Sequence, residues 1–248
     1  MVDIKSVLLD IVKHTSGLGI IENIKITGTG SETTLAAMDA NRTVILTAKM
    51  HDVVPEFEGD FGMGNLGLLS SLTRLSNYQE VGATIAVERK ERDGVEIPTT
   101  LMFKDTSGSK DQYRFMSAAI VDQAMKVATF KGVNWNVQVT PAVKSITQLG
   151  EVAGIYSGID PAFSVKTEDG NLVFEVGSTE GGVIGRRVFA ENIDGDLGAV
   201  WSWPLATFLS ILKLGGTIVV RFSDQGACQL DVDSGLGVYS YIMPAISR

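Results

Sequence analysis

Two amphipathic segments of this chain return after the same interval, and that repetition limits the folds open to it more than any single motif does. Ile4, Val7, Leu8 and Ile11 fall at i, i+3, i+4 and i+7, the apolar stripe of a helix that buries one face. Ile4-Lys5-Ser6-Val7 is answered by Val143-Lys144-Ser145-Ile146, 139 positions on (4 to 143), within a second amphipathic segment, Pro141 to Tyr156. That segment is expected to set Val143, Ile146 and Leu149 on one face. Leu66 to Leu75, a helix with Leu66, Leu69, Leu72 and Leu75 on its expected buried side, is answered at the same interval by Leu205 to Leu214, where Arg74 falls on Lys213. One interval shared by two separate helices points to a duplicated unit.

Between the helices the pattern changes from a period near 3.6 to a period of two. Leu172, Phe174 and Val176 alternate with Val173 and Glu175 just after the turn Asp169-Gly170. Cys228, Leu230 and Val232 alternate with Gln229, Asp231 and Asp233, a strand with one wet face. Ala83 to Val87 and Thr217 to Phe222 follow the second helix of each half. Leu101 to Phe103 and Tyr113 to Met116 close the first half, while Cys228 to Val232 and Val238 to Met243 close the second. Each half reads helix, strands, helix, strands. The expected class is α+β: two similar domains, 1–116 and 139–248, each with two helices packed on antiparallel sheet, joined by a connector at 117–138. Open sheet edges in such a fold invite pairing with a neighbouring copy.

The 248 residues suffice for two cores, and 44% hydrophobic with 20% charged residues is an ordinary globular balance. No apolar run approaches the roughly 20 residues that span a bilayer, and Met1 to Lys5 does not open a secretory signal. A cytoplasmic protein without a membrane partner is expected. Cys228 is the single cysteine, and His14 and His51 are the only histidines, so neither a disulfide nor a Cys/His zinc site is expected.

Motifs for chemistry are few. Gly62-Met63-Gly64-Asn65-Leu66-Gly67 satisfies G-x-G-x-x-G, but Glu56 to Phe61, which is acidic, precedes it where a dinucleotide site needs a hydrophobic strand. A flexible helix entry is the simpler reading. His51-Asp52 reads as a solvated turn, and His14 as a cation at the negative end of a helix dipole. No P-loop, G-x-S-x-G or zinc-spaced cysteine pattern occurs, and no spacing singles out a carboxylate pair. No enzymatic activity and no cofactor is expected.

The net charge of −8 has the wrong sign for a protein that binds nucleic acid over its whole surface. It is compatible with positive charge confined to one face. Lys5 and Lys13 lie off the apolar stripe of the first helix, and Arg74, Lys144 and Lys213 sit off the stripes of the other three. Glu56, Glu58, Asp60, Asp194 and Asp196 mark the loops and strand surfaces as acidic by contrast. Four helices on one surface would gather a cationic face that tracks phosphates without reading bases.

At this point the order of elements resembles the sliding clamps of DNA replication, nearest the clamps of T4-like bacteriophages and more distantly proliferating cell nuclear antigen. Met38-Asp39-Ala40-Asn41-Arg42 with the strand Thr43 to Lys49 is similar to the Met-Asp turn and strand of the cellular clamps. Tyr241-Ile242-Met243-Pro244-Ala245-Ile246 is similar to their Tyr-Leu-Ala-Pro-Lys-Ile close, and 117–138 falls at their interdomain connector. The resemblance implies a homotrimeric ring around double-stranded DNA, a processivity factor for a DNA polymerase that is served by a clamp loader. It implies no catalysis. Lys5, Lys13, Arg74, Lys144 and Lys213 would face DNA, and Met38, Arg42, Thr43, Tyr241, Pro244 and Ile246 would line a pocket for partner peptides. Two departures bear on these assignments: Pro141 to Tyr156 carries one lysine and Glu151, and Thr43 stands near a position the cellular clamps fill with an apolar residue. The chain ends soon after Ile246, like a clamp without an extended acidic tail. A viral structural or assembly protein is the alternative, and a hydrolase with scattered carboxylates a more distant one. The first would form larger particles, the second a deep pocket with two perturbed carboxyl groups.

Overall fold

The computed structural model describes residues 3–92, 94–125, 130–178 and 181–246, and the chain divides into two compact units. The first comprises Met1–Thr129 with Ser234–Tyr239, the second Phe130–Asp233 with Ser240–Arg248.

The first unit opens on α1 (Ile4–His14), capped by Asp3, whose carboxylate accepts from the Lys5 and Ser6 amides. Ile4, Val7, Leu8 and Ile11 are buried, as the stripe requires. The strands β1 (Ile24–Gly28), β2 (Thr33–Met38), β3 (Ile45–Met50) and β4 (Gly59–Met63) lead to α2 (Leu66–Thr73). Then come β5 (Thr84–Arg92), β6 (Val95–Lys104), β7 (Lys110–Arg114), β8 (Met116–Ser117) and α3 (Ala118–Met125). One antiparallel sheet runs β8-β4-β1-β2-β3 and a second β5-β6-β7. Alternation decides which side of each strand is buried: Ile24, Ile26 and Gly28 face in along β1, and Thr33, Leu35 and Ala37 along β2. Phe61 fills the core between Phe57 and Phe115.

The second unit repeats the plan with β9 (Val137–Val139), α4 (Val143–Tyr156), β10 (Ala162–Glu168), β11 (Asn171–Ser178), β12 (Val183–Ala190), β13 (Trp201–Pro204), α5 (Leu205–Leu212), β14 (Thr217–Ser223), β15 (Ala227–Asp233) and β16 (Gly237–Pro244). One sheet runs β12-β11-β10-β13; in the other, β14 lies between β9 and β15. Residues 240–244 of β16 lie beside β15, and Ser240 donates to Asp231 at 2.6 Å. Phe163, Phe174, Phe189, Phe208 and Phe222 pack as one aromatic core with Trp203, whose indole N–H donates 3.1 Å to the Met243 carbonyl. The fold is α+β with antiparallel sheets, as the sequence implies.

Several local expectations need correction. Leu75 is 43% exposed, because α2 ends at Thr73 and Leu75 opens a separate turn, Ser76–Tyr78, that leaves the stripe. Val143 is 81% exposed; as the first residue of α4 it precedes the part that reaches the core through Leu149 and Val152. His14 is no dipole cation: it is wholly buried, and burial lowers its pKa to about 4, which leaves it neutral. The stretch 117–138 is not a plain linker. Val121 of α3 is buried in the first unit, and Lys25 reaches Asp122 at 2.7 Å. In the second unit Asn136 exchanges two hydrogen bonds with Asp224, 2.9 and 3.0 Å long. Between these anchored ends, 126–129 lies outside the described residues.

Candidate nucleic-acid interface

The expected phosphate contacts all lie at helices. In the first unit α1 packs on α2. Lys13 is exposed and Lys5 partly so on α1, and Arg74 is exposed at the C-terminal cap of α2. In the second unit α4 packs on α5, with Lys144 exposed in the first turn of α4 and Lys213 at the cap of α5. The Lys213 ammonium lies across α4, 3.8 Å from where a Cβ on Gly150 would stand. Each unit thus brings its own cations to one helix pair: three in the first and two in the second. Glu151 is exposed on α4 beside them.

These five differ in their partners from five of the strand cations. Lys25, Lys49, Lys166, Arg186 and Arg221 of the strands are ion-paired, to Asp122, Glu32, Glu175, Glu168 and Asp231 respectively. Among the described residues, Lys5, Lys13, Arg74, Lys144 and Lys213 have no ion pair. Strand cations without one are Arg89, Lys90, Lys104, Lys110 and Arg114 in the β5-β6-β7 sheet and Arg187 on β12; Arg89 and Arg187 donate to backbone carbonyls instead. Neighbouring carboxylates neutralise part of the sheet charge locally, and the helix charge is left available to an outside anion. The sequence shows where the cations lie along the helices, but pairing is a tertiary property that no spacing reveals.

The residues expected to line a partner pocket divide between the two units. Met38, Arg42 and Thr43 belong to the first, with Met38 half-buried and the other two exposed. They surround a turn built by Asp39, which is 5% exposed and accepts from the Asn41 amide at 3.2 Å, the Thr43 hydroxyl at 2.9 Å and the Val44 amide at 2.6 Å. Arg42 takes the left-handed conformation (φ 58°) that closes it. The polar Thr43 thus has a local task, a bond to Asp39. A cleft of about 410 Å³ beside this turn is lined by Met38, Asp39, Arg42, Glu22 and Met125 among others. In the second unit Tyr241 is fully buried, while Pro244 and Ile246 are exposed. Replacing Asp39 by Ala leaves two backbone amides and a hydroxyl without an acceptor. The expected loss is about 2–3 kcal/mol, read from urea unfolding; a loss below about 0.5 kcal/mol would show that the turn holds without its carboxylate.

The glycine motif has a packing role. Gly62 and Gly64 are glycines because α3 and the residue ahead of β8's second strand position press on them: a Cβ at Gly62 would stand 2.7 Å from Val121 Cβ, and one at Gly64 2.6 Å from Met116 Sδ. Close packing therefore accounts for the G-x-G pattern. Asp105 and Glu168 are both held below the usual carboxylate range, by hydrogen bonds from Asn77 and Arg186 respectively, whereas a general acid needs the opposite shift. Among the described residues no cluster of His, Cys, Asp and Glu has metal-binding geometry, and no helix is long and apolar enough to cross a membrane.

A surface passed over in the sequence emerges at the sheet edges. β7 is the outer strand of β5-β6-β7, and β12 the outer strand of its own sheet. Val183, Ile184 and Val188 on β12 are 40–45% exposed, and Ile155 at the end of α4, which packs on β12, is 67% exposed. The Arg186-Arg187 pair interrupts the alternation of 183–190, which hid this strand.

No protein-family model and no curated protein matches the chain. Solved structures do. Proliferating cellular nuclear antigen of Entamoeba histolytica superposes with a TM-score of 0.71 at 10% identity, over 98% of this chain and 96% of that one. A. fulgidus PCNA, solved with the C-terminal region of FEN-1, superposes with a TM-score of 0.68 at 10% identity over the same shares. The PCNA2-PCNA3 complex of Sulfolobus tokodaii gives 0.65 at 12%, over 97% of this chain and 96% of that chain. The fold of this chain, along nearly its whole length, is that of the PCNA-type clamps.

Proposed function

We propose that the chain is a subunit of a DNA sliding clamp, a non-catalytic processivity factor that encircles double-stranded DNA and tethers a replicative polymerase. The observation that carries this reading is the set of helix cations left out of ion pairs on a protein of net charge −8. The fold it shares with PCNA-type clamps supports it. Enclosure replaces tight binding in such a machine: weak, salt-sensitive phosphate contacts permit sliding, and a closed ring prevents escape. Five cations per subunit suit that task better than a dense basic patch would.

A homotrimer closed head to tail is the assembly we favour. The outer strand β7 of one copy, with exposed Lys110, Gln112 and Arg114, is a partner for the outer strand β12 of the next, whose flank is apolar. Partner peptides of the polymerase and the clamp loader would dock at Met38, Arg42 and Thr43 and at Tyr241, Pro244 and Ile246. The source we favour is a T4-like bacteriophage, in whose host cytoplasm the clamp would serve viral DNA replication.

Native mass measurement at micromolar concentration tests the ring, with three copies of the 26.5 kDa chain expected. Protein loaded on circular DNA should stay bound through gel filtration and be released when the DNA is linearised. A stable monomer with equal retention on both DNA forms would overturn the proposal, and assembly into large particles would favour a structural protein instead.

A further inference from the structure

Residues 234–239 arrive from the C-terminal end of the chain yet pack with the first unit, and Asp10 of α1 is where they are held. Asp10 Oδ2 accepts from the Ser234 hydroxyl at 2.8 Å and the Tyr239 hydroxyl at 2.9 Å. One turn on, His14 is wholly buried, its ring stacked on Tyr239 with centroids 4.0 Å apart and planes 16° from parallel. Its Nε2 lies 3.7 Å from the other Asp10 oxygen, and the Asp10 side chain is itself only 10% exposed. The same segment bonds to the end of β3, where the His51 amide donates 2.9 Å to the Leu236 carbonyl.

On its own helix Asp10 favours the protonated form of His14 and Lys13 opposes it. From 234–239 the Tyr239 ring covers it, and the phenol of that ring donates to Asp10. Of the other elements packed on α1, the turn Ser16–Leu18 and α2 contain no titratable residue, and β5 carries Glu88, Arg89, Lys90 and Glu91 in its second half.

We propose that Asp10, His14 and Tyr239 form a proton-controlled latch, in which protonation of His14 releases residues 234–239 from α1. An imidazolium here would be cut off from water, and the Asp10 carboxylate beside it is already engaged by two hydroxyls. Asp10 can turn to it only by giving up Ser234 and Tyr239, and the ring can reach water only by leaving the Tyr239 face. Either response opens the latch. Burial lowers the pKa of His14 to about 4 while the latch is closed, and release returns the ring to its ordinary value near 6.5. Closure is therefore fully favoured above pH ~6.5 and is lost progressively as the pH falls toward 4. On the proposed function, which this consequence alone rests on, opening would loosen the helix that carries Lys5 and Lys13.

The test uses the full chain, without DNA, so its failure is separate from failure of the clamp reading. NMR follows the His14 imidazole and the exchange protection of the His51 amide across pH 7 to 4. Protection, corrected for intrinsic exchange, is expected to fall roughly 20-fold between pH 7 and pH 5. His14→Gln should abolish that fall while keeping the His51 imidazole, and Tyr239→Phe should lower protection already at pH 7. An unchanged fall in His14→Gln would overturn the proposal. Should that variant not fold, the wild-type signals decide: amide opening that grows as open-state His14 takes up its proton supports the latch, and protection that holds while His14 titrates overturns it.

Discussion

Phe174→Ala is expected to cost about 3–5 kcal/mol, the largest loss from any single truncation in the second unit. The ring lies on β11, stacked on Phe189 with centroids 4.2 Å apart, and meets Phe163 at 4.9 Å, Phe208 at 5.8 Å and Phe222 at 5.8 Å. Those neighbours come from a strand of the same sheet on each side, from α5 and from β14 of the other sheet. A hole there opens where both sheets and a helix meet, and no one element can close it by a small shift. Trp135, Trp201 and Trp203 all belong to the second unit, so tryptophan fluorescence in urea reports on it directly. Val200→Ala, 63% exposed and outside β12, serves as the control and should change stability by less than about 0.5 kcal/mol. A Phe174→Ala loss below about 1 kcal/mol would mean that the aromatic core is looser than its ring contacts indicate.

How much of this was legible in the sequence depended on whether a pattern had one physical cause. The stripe of α1 and the alternation of β15 each follow from one buried face, and both read correctly. Leu75 failed because a helix stripe says nothing about where the helix stops; the backbone turns away at Thr73, and the leucine goes with it. β12 failed for the opposite reason, since a strand at a sheet edge has no face that must be wholly apolar. His14 misled because its place at a helix end suited a cation, while the Tyr239 ring that covers it lies 225 positions away in sequence (14 to 239). The glycines of Gly62 to Gly67 resembled a phosphate loop, yet it is Val121 and Met116 that crowd a side chain at Gly62 and Gly64. For the candidate interface, helix periodicity placed all five cations off the buried stripes. That they lack carboxylate partners depends on where the strands put the acids.

Changing Lys5, Lys13, Arg74, Lys144 and Lys213 together to glutamine is expected to abolish retention on circular DNA while leaving the fold intact. Stability should move by less than about 1 kcal/mol, since none of the five is ion-paired and each is at least partly exposed. Each phosphate contact contributes about −0.9 to the slope of log K against log salt, so the variant should lose several units of slope as well as affinity. The matched control is Lys25→Gln with Lys49→Gln, which removes cations that Asp122 and Glu32 already neutralise. That control should keep the wild-type slope, because a paired cation has few counterions to exchange with phosphate. A quintuple variant that still assembles and keeps the wild-type slope would remove the helices from the DNA face without touching the ring. The reverse result, slope lost in the control as well, would mean that DNA contacts the sheets. The two variants therefore distinguish a cationic face from a cationic residue count, which the net charge of −8 alone does not.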